Sequence, residues 1–403
     1  MMIYLGSVYP QVLLEELIRR KQFVDYPANV FQGSLLKGLD EHISNLKVIT
    51  SPVIKSPYSQ VKDLCNRGLF SHKMSGNQND QYVGTLPIKG VQMVSELFRV
   101  YKAVNEELNN SNQKNSLIIY ALHSPFLLVA ALLRKKLSCS CVVVPDLPEF
   151  MTGESGILRR IAKKIDRGII NACLKKIDCF VLLSPYMKDV LPIENKPWTL
   201  MEGIYDISSK HEKNEKAGGK VILYTGNLSK RYGIIELLNA FSRIDKANYR
   251  LWICGSGNGE EDVVKYASMD HRIKFFGVVS HDEVLSLQQK ATVLINPRSS
   301  SGEYTKYSFP SKTMEYLASG TPTIMCHLPA IPEEYNQYIF YITNESSDGI
   351  REKILEVCEK TDKELHEIGE RASFFIKEKK NAKIQAGKII ELVDDFIKKN
   401  KSC

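Results

Sequence analysis

The sequence lacks CxxC pairs, although nine of its 403 residues are cysteine. The cysteines are odd in number and scattered along the chain, so their spacing provides neither a disulfide framework nor a zinc site. Such cysteine usage is typical of a protein from a reducing compartment. We therefore predict neither a structural disulfide nor a metal site.

Long apolar runs are also scarce. The longest, residues 117–133, is interrupted by His123, Ser124 and Pro125. A membrane span needs roughly 20 consecutive apolar residues, so this run predicts a strand followed by a buried helix. The start of the chain lacks the basic head of an export signal and reaches glutamates by position 15. We expect a cytoplasmic protein.

Three motifs of nucleotide and hydrolase chemistry are absent. The sequence has no D-x-D pair, no GxxxxGK[ST] loop and no GxSxG turn. These absences argue against metal-held nucleotide chemistry, P-loop hydrolysis and serine esterase chemistry, respectively. The sequence does contain the 43% apolar and 25% charged residues of a globular protein, over a length that suggests two domains.

Excess positive charge lies in the first half of the chain. Residues 1–200 contain 25 Lys and Arg against 17 Asp and Glu, whereas the remainder carries 29 of each kind. Part of the excess falls in residues 155–178, where apolar residues recur at helical spacing and cations occupy the other faces. Such a helix suits an anionic membrane surface, or a helix packed on its own sheet with a solvated basic side. Both hold together if the apolar stripe faces inward and the cations face lipid.

The membrane interpretation assigns five cations of this helix to the lipid-facing side. They are Arg159, Arg160, Lys163, Lys164 and Arg167. Nucleic acid is the other candidate partner for a basic surface. The run has no interleaved aromatic residues on which bases stack, so we expect no nucleic-acid binding.

Strand-like and helix-like segments alternate through both halves of the sequence. This alternation predicts parallel sheets with helices on both faces. The polar stretch 208–220 is predicted to be a linker, after which the alternation restarts. We therefore predict an α/β fold of two doubly wound, Rossmann-like domains in tandem with a cleft between them. The predicted bounds are 1–206 and 207–385, followed by a C-terminal helix, 386–403, for which the first domain is a candidate packing surface.

Ligands of open α/β sheets sit at the carboxyl ends of the strands, so the residues after each strand are candidate site residues. In YTGNLSKRYGIIELL a predicted strand ends at Gly226, Lys230 and Arg231 follow, and Gly233 precedes a helix. Amides at that helix start and two cations are suited to a diphosphate. The alternative is an ordinary basic loop on the surface.

A second candidate is FPSKTMEYLASG (309–320). Pro310 suits the first helical position, and Ser311 and Lys312 then supply free amides and a cation at the positive helix end. Glu315 shares a face with both, and a carboxylate there is able to accept both hydroxyls of a ribose. The alternative is a well-capped helix with a solvated glutamate.

Two weaker candidates complete the set. The GSGNG turn (255–259) follows a strand, but Glu260 stands where a dinucleotide fingerprint has its third glycine. A tight turn without a ligand is the alternative. In the first half, His123 and Asp146 each follow a predicted strand, with Glu149 close behind, and all three are candidates to face the cleft. The alternative for His123 is a satisfied structural histidine.

Together these segments resemble a retaining glycosyltransferase of family 4 with the two-domain GT-B arrangement. The resemblance covers most of residues 203–345 and the first half only in outline. The segments that carry it are GIYD (203–206), YTGNLSKRYGIIELLNAF (224–241), LWICGSGNG (251–259), IKFFGVVSHDEV (273–284), INPRSS (295–300) and FPSKTMEYLASGTPTI (309–324). The FPSK-x-x-EY form resembles the branch that acts in bacterial capsule, exopolysaccharide or O-antigen assembly.

The resemblance implies that the second domain binds a nucleotide-sugar donor. Lys230 and Arg231 then hold the diphosphate, the turn after Gly255 lines the nucleotide pocket, and Glu315 binds the ribose. The full implied donor set is Gly226, Lys230, Arg231, Gly255, Phe309, Ser311, Lys312 and Glu315. The nucleotide-sugar is a substrate, and the resemblance implies neither a cofactor nor a metal.

Two features depart from the family pattern. The family often has a glutamate near the donor sugar, eight residues before the position of Glu315, and this sequence has Tyr307 there. Glu303 is a candidate replacement from a loop. The family also tends to place an arginine and a lysine where this sequence has Asn227 and Tyr232. The cations that bind the phosphates therefore have to be Lys230 and Arg231.

The implied reaction transfers the sugar to a saccharide acceptor with retention of configuration. Cations and helix-end amides stabilise the departing diphosphate, which itself takes the acceptor's proton. The implied catalytic residues are therefore Lys230 and Arg231, with His123 and Asp146 positioning the acceptor or assisting with its proton. A polyprenyl-diphosphate-linked acceptor explains the basic first domain and implies a cytoplasmic protein held at the inner face of the cell membrane. The alternatives are a sugar-nucleotide epimerase and a non-catalytic partner subunit with the same fold.

Overall fold

A computed structural model describes residues 1–53, 67–73, 78–86, 88, 91–111, 115–147, 157–206 and 214–401, without the side chains of residues 157–159. Contacts divide the chain into two units. The first comprises Met1–Ile204 with Ala382–Cys403, and the second comprises Tyr205–Asn381. The boundaries expected from the sequence lie within a few residues of these. Residues 208–213 of the predicted linker lie outside the described residues.

The first unit is built on one sheet. Its strands, in chain order, are β1 (Met2–Gly6), β2 (Leu46–Thr50), β3 (Arg67–Phe70), β4 (Asp80–Val83), β5 (Asn115–Tyr120), β6 (Leu137–Val144), β7 (Cys179–Leu182) and β8 (Trp198–Leu200). Their order in the sheet is β3-β4-β2-β1-β5-β6-β7-β8. Neighbouring strands are parallel except β3 and β4, which form an antiparallel edge.

Helices connect these strands. They are α1 (Gln11–Arg19), α2 (Tyr26–His42), α3 (Gln92–Asn109), α4 (Ser124–Leu133), α5 (Ile157–Leu174) and the single turn α6 (Met187–Val190). Every residue of β5 is buried, as are all but one of β6. Such continuous burial is expected of parallel strands whose two faces are both covered.

The second unit has a fully parallel sheet. Its strands are β9 (Lys220–Asn227), β10 (Tyr249–Ser256), β11 (Ile273–Gly277), β12 (Val293–Asn296), β13 (Thr323–Cys326) and β14 (Ile339–Ile342). They lie in the order β11-β10-β9-β12-β13-β14, in which the winding reverses between β9 and β12. Ligands of doubly wound folds bind beyond the carboxyl ends of the strands at such a reversal.

The helices of the second unit complete the predicted α/β pattern. They are α7 (Ile234–Ser242), α8 (Glu260–Met269), α9 (His281–Lys290), α10 (Ser311–Ala318), α11 (Ser347–Cys358) and α12 (Asp362–Lys379). The core on one side of the sheet joins strand residues such as Ile222 and Ile253 to Leu237 and Phe241 of α7. The prediction of two doubly wound α/β domains is confirmed.

The last helix, α13 (Ala382–Lys401), belongs to the first unit. Its buried residues Ala386, Ile389 and Val393 join the same apolar core as residues of α2. The two helices approach closely at Gly38 of α2, where an added Cβ would lie 2.1 Å from the carbonyl oxygen of Ala382. A glycine is therefore what allows α13 to begin against α2.

We predict that Gly38→Ala destabilises the first unit by about 1 to 3 kcal/mol, because the added methyl group forces the two backbones apart. Gly33→Ala is the matched control in the same helix, since no atom lies within 4 Å of its added Cβ. Alanine is the better helix former, so the control is expected to be neutral or stabilising by up to about 1 kcal/mol.

Urea unfolding measures both variants in a Trp252→Phe background, where Trp198 of β8 is the remaining tryptophan and reports the first unit. Equal stability of the Gly38→Ala and Gly33→Ala proteins would contradict the close packing of α2 and α13.

Candidate functional site

Two glycines shape the carboxyl edge of the second sheet. Gly226 and Gly255 are paired in register near the ends of β9 and β10, and both have positive φ, +144° and +133°. A Cβ on Gly255 would lie 1.8 Å from the carbonyl oxygen of Gly226. Gly255 therefore allows a close approach of the two backbones, whereas Gly226 is required only by its positive φ.

The rest of the GSGNG turn packs on the loop that follows β9. An added Cβ on Gly257 would lie 2.7 Å from the carbonyl carbon of Leu228, and one on Gly259 would lie 2.7 Å from the carbonyl oxygen of Leu228. Packing against this loop is sufficient reason for these two glycines. The role of the turn as a nucleotide-pocket lining stays a prediction.

The two cations predicted to hold a diphosphate have different surroundings. Both lie in a short 3-10 helix, Lys230–Tyr232, which leads to α7. The Lys230 ammonium is 2.7 Å from the Asp262 carboxylate of α8, and this hydrogen bond raises the pKa of Lys230 above its ordinary value. The Arg231 guanidinium instead lies 3.8 Å from the centre of the Tyr304 ring, a cation–π contact. Lys230 therefore already has a carboxylate partner.

A third cation, Arg298, was missed by the sequence analysis. It follows β12, and its guanidinium lies 5.0 Å from the centre of the same Tyr304 ring and 5.1 Å from that of Tyr232. Its Nε is buried and has no hydrogen-bond partner within the described residues. The available signal was its position, since a cation just beyond a central strand lies at the carboxyl edge of the sheet.

The loop that carries Arg298 is fixed from both sides. Gly233, at φ +79°, is the N-cap of α7, and an added Cβ there would lie 2.2 Å from the carbonyl oxygen of Pro297. On the other side the Glu345 carboxylate accepts hydrogen bonds from the Ser299 hydroxyl, at 2.6 Å, and from the Ser300 amide, at 3.0 Å. Partial burial by itself raises the pKa of Glu345, but these hydrogen bonds outweigh it and lower the pKa below its ordinary value. Glu345 therefore acts as an ionised anchor for this loop.

The predicted helix after Phe309 begins one residue later than expected. Pro310 was predicted at the first helical position, but it is the N-cap, and α10 begins at Ser311. The reason is backbone geometry, since Pro310 has an extended ψ of 112°. Phe309 is buried, with its ring centre 5.6 Å from that of Tyr335, so it packs in the core of the unit.

The Glu315 carboxylate is held by two donors. The Lys312 ammonium lies 2.8 Å from Oε1 and 3.0 Å from Oε2, and the side-chain amide of buried Gln288 donates to Oε1 at 2.5 Å. Lys312, rather than Ser311, is the residue of the first turn that reaches it. A carboxylate has about four lone-pair positions, so this one retains the capacity to accept a hydroxyl, mainly at Oε2.

The next residue ties α10 to the end of β9. The buried Tyr316 hydroxyl accepts a hydrogen bond from the Thr225 amide at 2.8 Å and donates to the Thr225 carbonyl at 3.1 Å. Because Thr225 directly precedes Gly226, the helix that carries Glu315 is attached beside the glycine edge. The fixed carboxylate and the Arg231 region therefore belong to the same edge of the sheet.

Glu303 contacts the tyrosine that stands in place of the expected glutamate. The Tyr307 ring is buried and its hydroxyl lies 3.5 Å from Oε1 of Glu303. Glu303 itself is exposed at the start of the 3-10 helix Glu303–Lys306. Its contact with a donor sugar stays a prediction.

In the first unit, His123 has a carboxylate partner. Its Nε2 lies 2.9 Å from the buried Glu96 carboxylate of α3, and its ring packs edge-on against Phe126. His123 is also the N-cap of α4, at the end of the loop after β5. A histidine with one nitrogen held by a carboxylate is suited either to a structural role or to a proton-transfer role.

Asp146 lies just past β6 with its carboxyl group largely buried. Burial first, and then the charge of Asp25, raise its pKa above the ordinary value for aspartate. Perturbed carboxyl groups at strand ends are candidates for functional roles. Glu149, the third predicted residue of this group, lies outside the described residues.

The basic helix α5 corrects one expectation. Of the five predicted lipid-facing cations, Arg160, Lys164 and Arg167 are exposed, Lys163 is half-buried, and Arg159 has a side chain outside the described part of the chain. The apolar stripe was expected to face inward, but Ile161 and Ile165 are 52% and 61% exposed. The helical period determines which residues share a face, whereas the packing of neighbouring elements determines whether that face is covered.

The described residues contain neither a membrane-spanning helix nor a cluster of metal ligands. None of their helices is long and apolar enough to cross a membrane. Likewise, across the described ranges, no group of three or more His, Cys, Asp and Glu side chains is arranged to hold a metal ion.

Comparison with known proteins relates the second unit to one family. Residues 206–375 match the family described as Glycosyl transferases group 1. An uncharacterized glycosyltransferase of Methanocaldococcus jannaschii is 29% identical over 118 residues, which are 28% of this chain and 29% of that protein. The match thus spans less than a third of the relative's length. The matched residues lie within the second unit, which also contains every predicted donor-site residue.

Solved structures match over nearly the whole chain. Sucrose-phosphate synthase from Thermosynechococcus elongatus superposes with a TM-score of 0.60 at 13% identity, covering 98% of each chain. Anabaena HepE in complex with UDP gives 0.63 at 12% identity, over 98% of this chain and 100% of that one. The lipopolysaccharide outer core galactosyltransferase WaaB gives 0.63 at 13% identity, over 98% and 99%. These likenesses show the fold, which is the GT-B fold.

We predict that Asp146→Asn stabilises the first unit at neutral pH. A raised pKa means that folding disfavours the ionised carboxylate, so stability falls as pH rises from the ordinary aspartate pKa of about 3.9 through the folded-state pKa. The variant removes this cost. Its advantage is therefore expected at pH 7 and should vanish well below the ordinary aspartate pKa, at about pH 2 to 3, where the wild-type group is protonated in both states.

Urea unfolding at a series of pH values, read from Trp198 in the Trp252→Phe background, tests this expectation. Asp189→Asn removes an exposed carboxylate from the same unit and serves as the control. A less stable Asp146→Asn protein at pH 7 would show that folded partners favour the ionised form.

Proposed function

We propose that this protein is a retaining glycosyltransferase that moves a sugar from a nucleotide-sugar donor to a saccharide acceptor. The observation that carries the proposal is the carboxyl edge of the second sheet, within the group 1 domain. There Glu315 is held as a hydroxyl acceptor while Arg231 lies in the loop that leads to the start of α7. A fixed carboxylate and a guanidinium at a helix N-terminus match the ribose and diphosphate of a nucleotide.

The relatives support a nucleotide-sugar donor. HepE of Anabaena binds UDP, and WaaB is a galactosyltransferase. We propose that Glu315 accepts hydrogen bonds from the ribose hydroxyls and that Arg231 binds the diphosphate. The other proposed donor contacts are Gly226, Lys230, Gly255, Phe309, Ser311 and Lys312, with Glu303 near the sugar. Since Phe309 is buried, its role is to support the start of α10.

Retention follows from having the leaving group and the acceptor on the same face of the sugar. As the bond from the anomeric carbon to the diphosphate breaks, negative charge develops on the departing phosphate oxygen. Arg231, Lys230 and the amides at the start of α7 stabilise that charge. The departing phosphate then takes the proton of the acceptor hydroxyl, so no protein nucleophile and no metal is needed.

The acceptor is proposed to be a lipid-linked saccharide, of the polyprenyl-diphosphate kind used in capsule, exopolysaccharide or O-antigen assembly. The basic composition of the first half and the exposed isoleucines of α5 support an anionic lipid surface as its neighbour. His123 and Asp146 are proposed to position the acceptor or to assist with its proton. The protein would then work at the cytoplasmic face of the membrane.

We predict that one nucleoside diphosphate stabilises the wild-type protein and that Glu315→Ala abolishes the effect. Ligand at about a hundred times its dissociation constant adds roughly 2.7 kcal/mol, which moves the unfolding midpoint by a few degrees. The measurement is thermal unfolding with UDP, GDP, dTDP, CMP and their common sugar conjugates. Glu356→Ala, which removes an exposed glutamate of α11 paired with Lys353, is the control.

Two results would contradict the donor site. Equal stabilisation of wild type and Glu315→Ala would place the nucleotide elsewhere. The absence of any shift in the wild-type protein would favour a non-catalytic partner subunit. A separate outcome, the release of free sugar without an acceptor, would favour an epimerase.

We also predict that the protein binds vesicles containing phosphatidylglycerol more tightly than vesicles of phosphatidylcholine alone. Each cation near an anionic surface contributes about 1 kcal/mol, so Lys163→Gln with Lys164→Gln should weaken binding by roughly 10- to 30-fold. Lys398→Gln with Lys399→Gln removes the same charge from α13 of the same unit and is the control. Co-sedimentation measures both pairs, and equal losses would mean that net charge, rather than α5, determines binding.

A further inference from the structure

Two arginines share one tyrosine ring at the carboxyl edge of the second sheet. The guanidinium carbons of Arg231 and Arg298 lie 3.8 Å and 5.0 Å from the centre of the Tyr304 ring. Among the described residues neither arginine forms an ion pair with a carboxylate. Two like charges held this close, without a counter-charge, repel each other. The two positive charges of this cluster therefore lack a counter-charge among the described residues, and a bound anion would supply it.

Arg298 carries a specific unmet requirement. Its Nε is buried, and none of the described residues accepts a hydrogen bond from it. An unsatisfied buried donor is costly, and more so on a charged group. The side chain is also held in place, because its guanidinium lies over Tyr232 as well as Tyr304. The guanidinium is therefore held in place, while no residue in the described ranges supplies an acceptor for its buried N–H.

The neighbouring cations differ from these two. Lys230 is paired with Asp262 at 2.7 Å, and Lys312 is paired with Glu315 at 2.8 Å. Of the four, Arg231 and Arg298 are thus the two whose charge no carboxylate of the described residues neutralises. Two positive charges match the two negative charges of a diphosphate bridging a nucleoside and a sugar.

The backbone beside Arg298 favours the same kind of ligand. Pro297 packs directly on Gly233, which caps α7 without a side chain that could accept from the first amides of the helix. The N-terminus of α7 therefore presents N–H groups and a partial positive charge next to the loop that holds Arg298. An anion placed there receives both backbone and guanidinium donors.

We propose that Arg298 is a diphosphate-binding residue that acts together with Arg231. Both guanidinium groups make cation–π contacts with the ring of Tyr304, which holds them near each other. This inference builds on the proposed nucleotide-sugar site. Arg298 donates to phosphate oxygens through its terminal nitrogens, because its Nε is buried. Glu345 positions it by holding the loop through Ser299 and Ser300.

The experiment is calorimetric titration of wild type, Arg298→Gln and Arg298→Lys. The titrants are inorganic pyrophosphate, the nucleoside diphosphate that stabilises the wild type most, and the nucleoside that corresponds to it. Arg298→Gln should weaken the binding of pyrophosphate and of the diphosphate by about 10- to 100-fold, because hydrogen bonds to charged groups are lost. Its affinity for the nucleoside should be unchanged. Arg298→Lys should recover part of the loss, since it keeps the charge but not the planar fork.

Arg243→Gln is the matched control. It removes one arginine charge from the other end of α7, where Arg243 pairs with Asp348 at 3.1 Å, and it should leave every affinity unchanged. Unfolding midpoints of all variants establish that each is folded, and Arg298→Lys retains most of the packing if the glutamine variant does not fold.

The outcomes separate the two proposals. Wild-type binding of the nucleoside diphosphate with no loss in Arg298→Gln would overturn the role of Arg298 and leave the proposed function standing. Equal weakening of the nucleoside and the diphosphate would also overturn it, because Arg298 would then support the pocket rather than the phosphates. Failure of the wild type to bind any of the three titrants would overturn the proposed function and, with it, this inference.

Discussion

Close backbone contact at the carboxyl edge of the second sheet is the constraint on which the candidate site depends. Gly255 faces the carbonyl group of Gly226, and Gly233 faces that of Pro297, at distances that leave no room for a side chain. These contacts bring the loops after β9, β10 and β12 into one small region. Side chains far apart in sequence, such as Arg231 and Arg298, therefore meet over one ring.

Charge pairing within the folded chain then determines which groups remain for a ligand. Asp262 forms an ion pair with Lys230. Glu315 forms one with Lys312, and its carboxylate can still accept further hydrogen bonds. A partner in the protein competes with a phosphate for the same cation, so proximity to the site is not sufficient for binding. Arg231 and Arg298, which no described carboxylate pairs, are therefore the cations of this edge that remain for an anion.

Local patterns predicted the strands and candidate residues after them, but not every residue that the fold brings to the same edge. The carboxyl-edge rule identified Gly226, Arg231 and Glu315 because each directly follows, or packs beside, a strand that the sequence pattern itself reveals. Arg298 also follows a strand, but its meeting with Arg231 depends on β12 lying next to β9, a pairing of distant segments that no local pattern predicts. The exposure of Ile161 was missed for a related reason, because no local pattern states which neighbour covers a helix face.

The short 3-10 helix Glu303–Lys306 places a carboxylate near Tyr307, the residue that stands where a glutamate was expected. This turn carries Tyr304, on which Arg231 rests, directly beside Glu303. The Tyr307 ring, directly after this turn, is buried, and its hydroxyl contacts the exposed Glu303 carboxylate. Glu303 therefore lies one turn before the position where the acid was expected. Since its carboxylate is exposed and contacts the tyrosine that replaces that acid, it stays the candidate for a contact with the donor sugar.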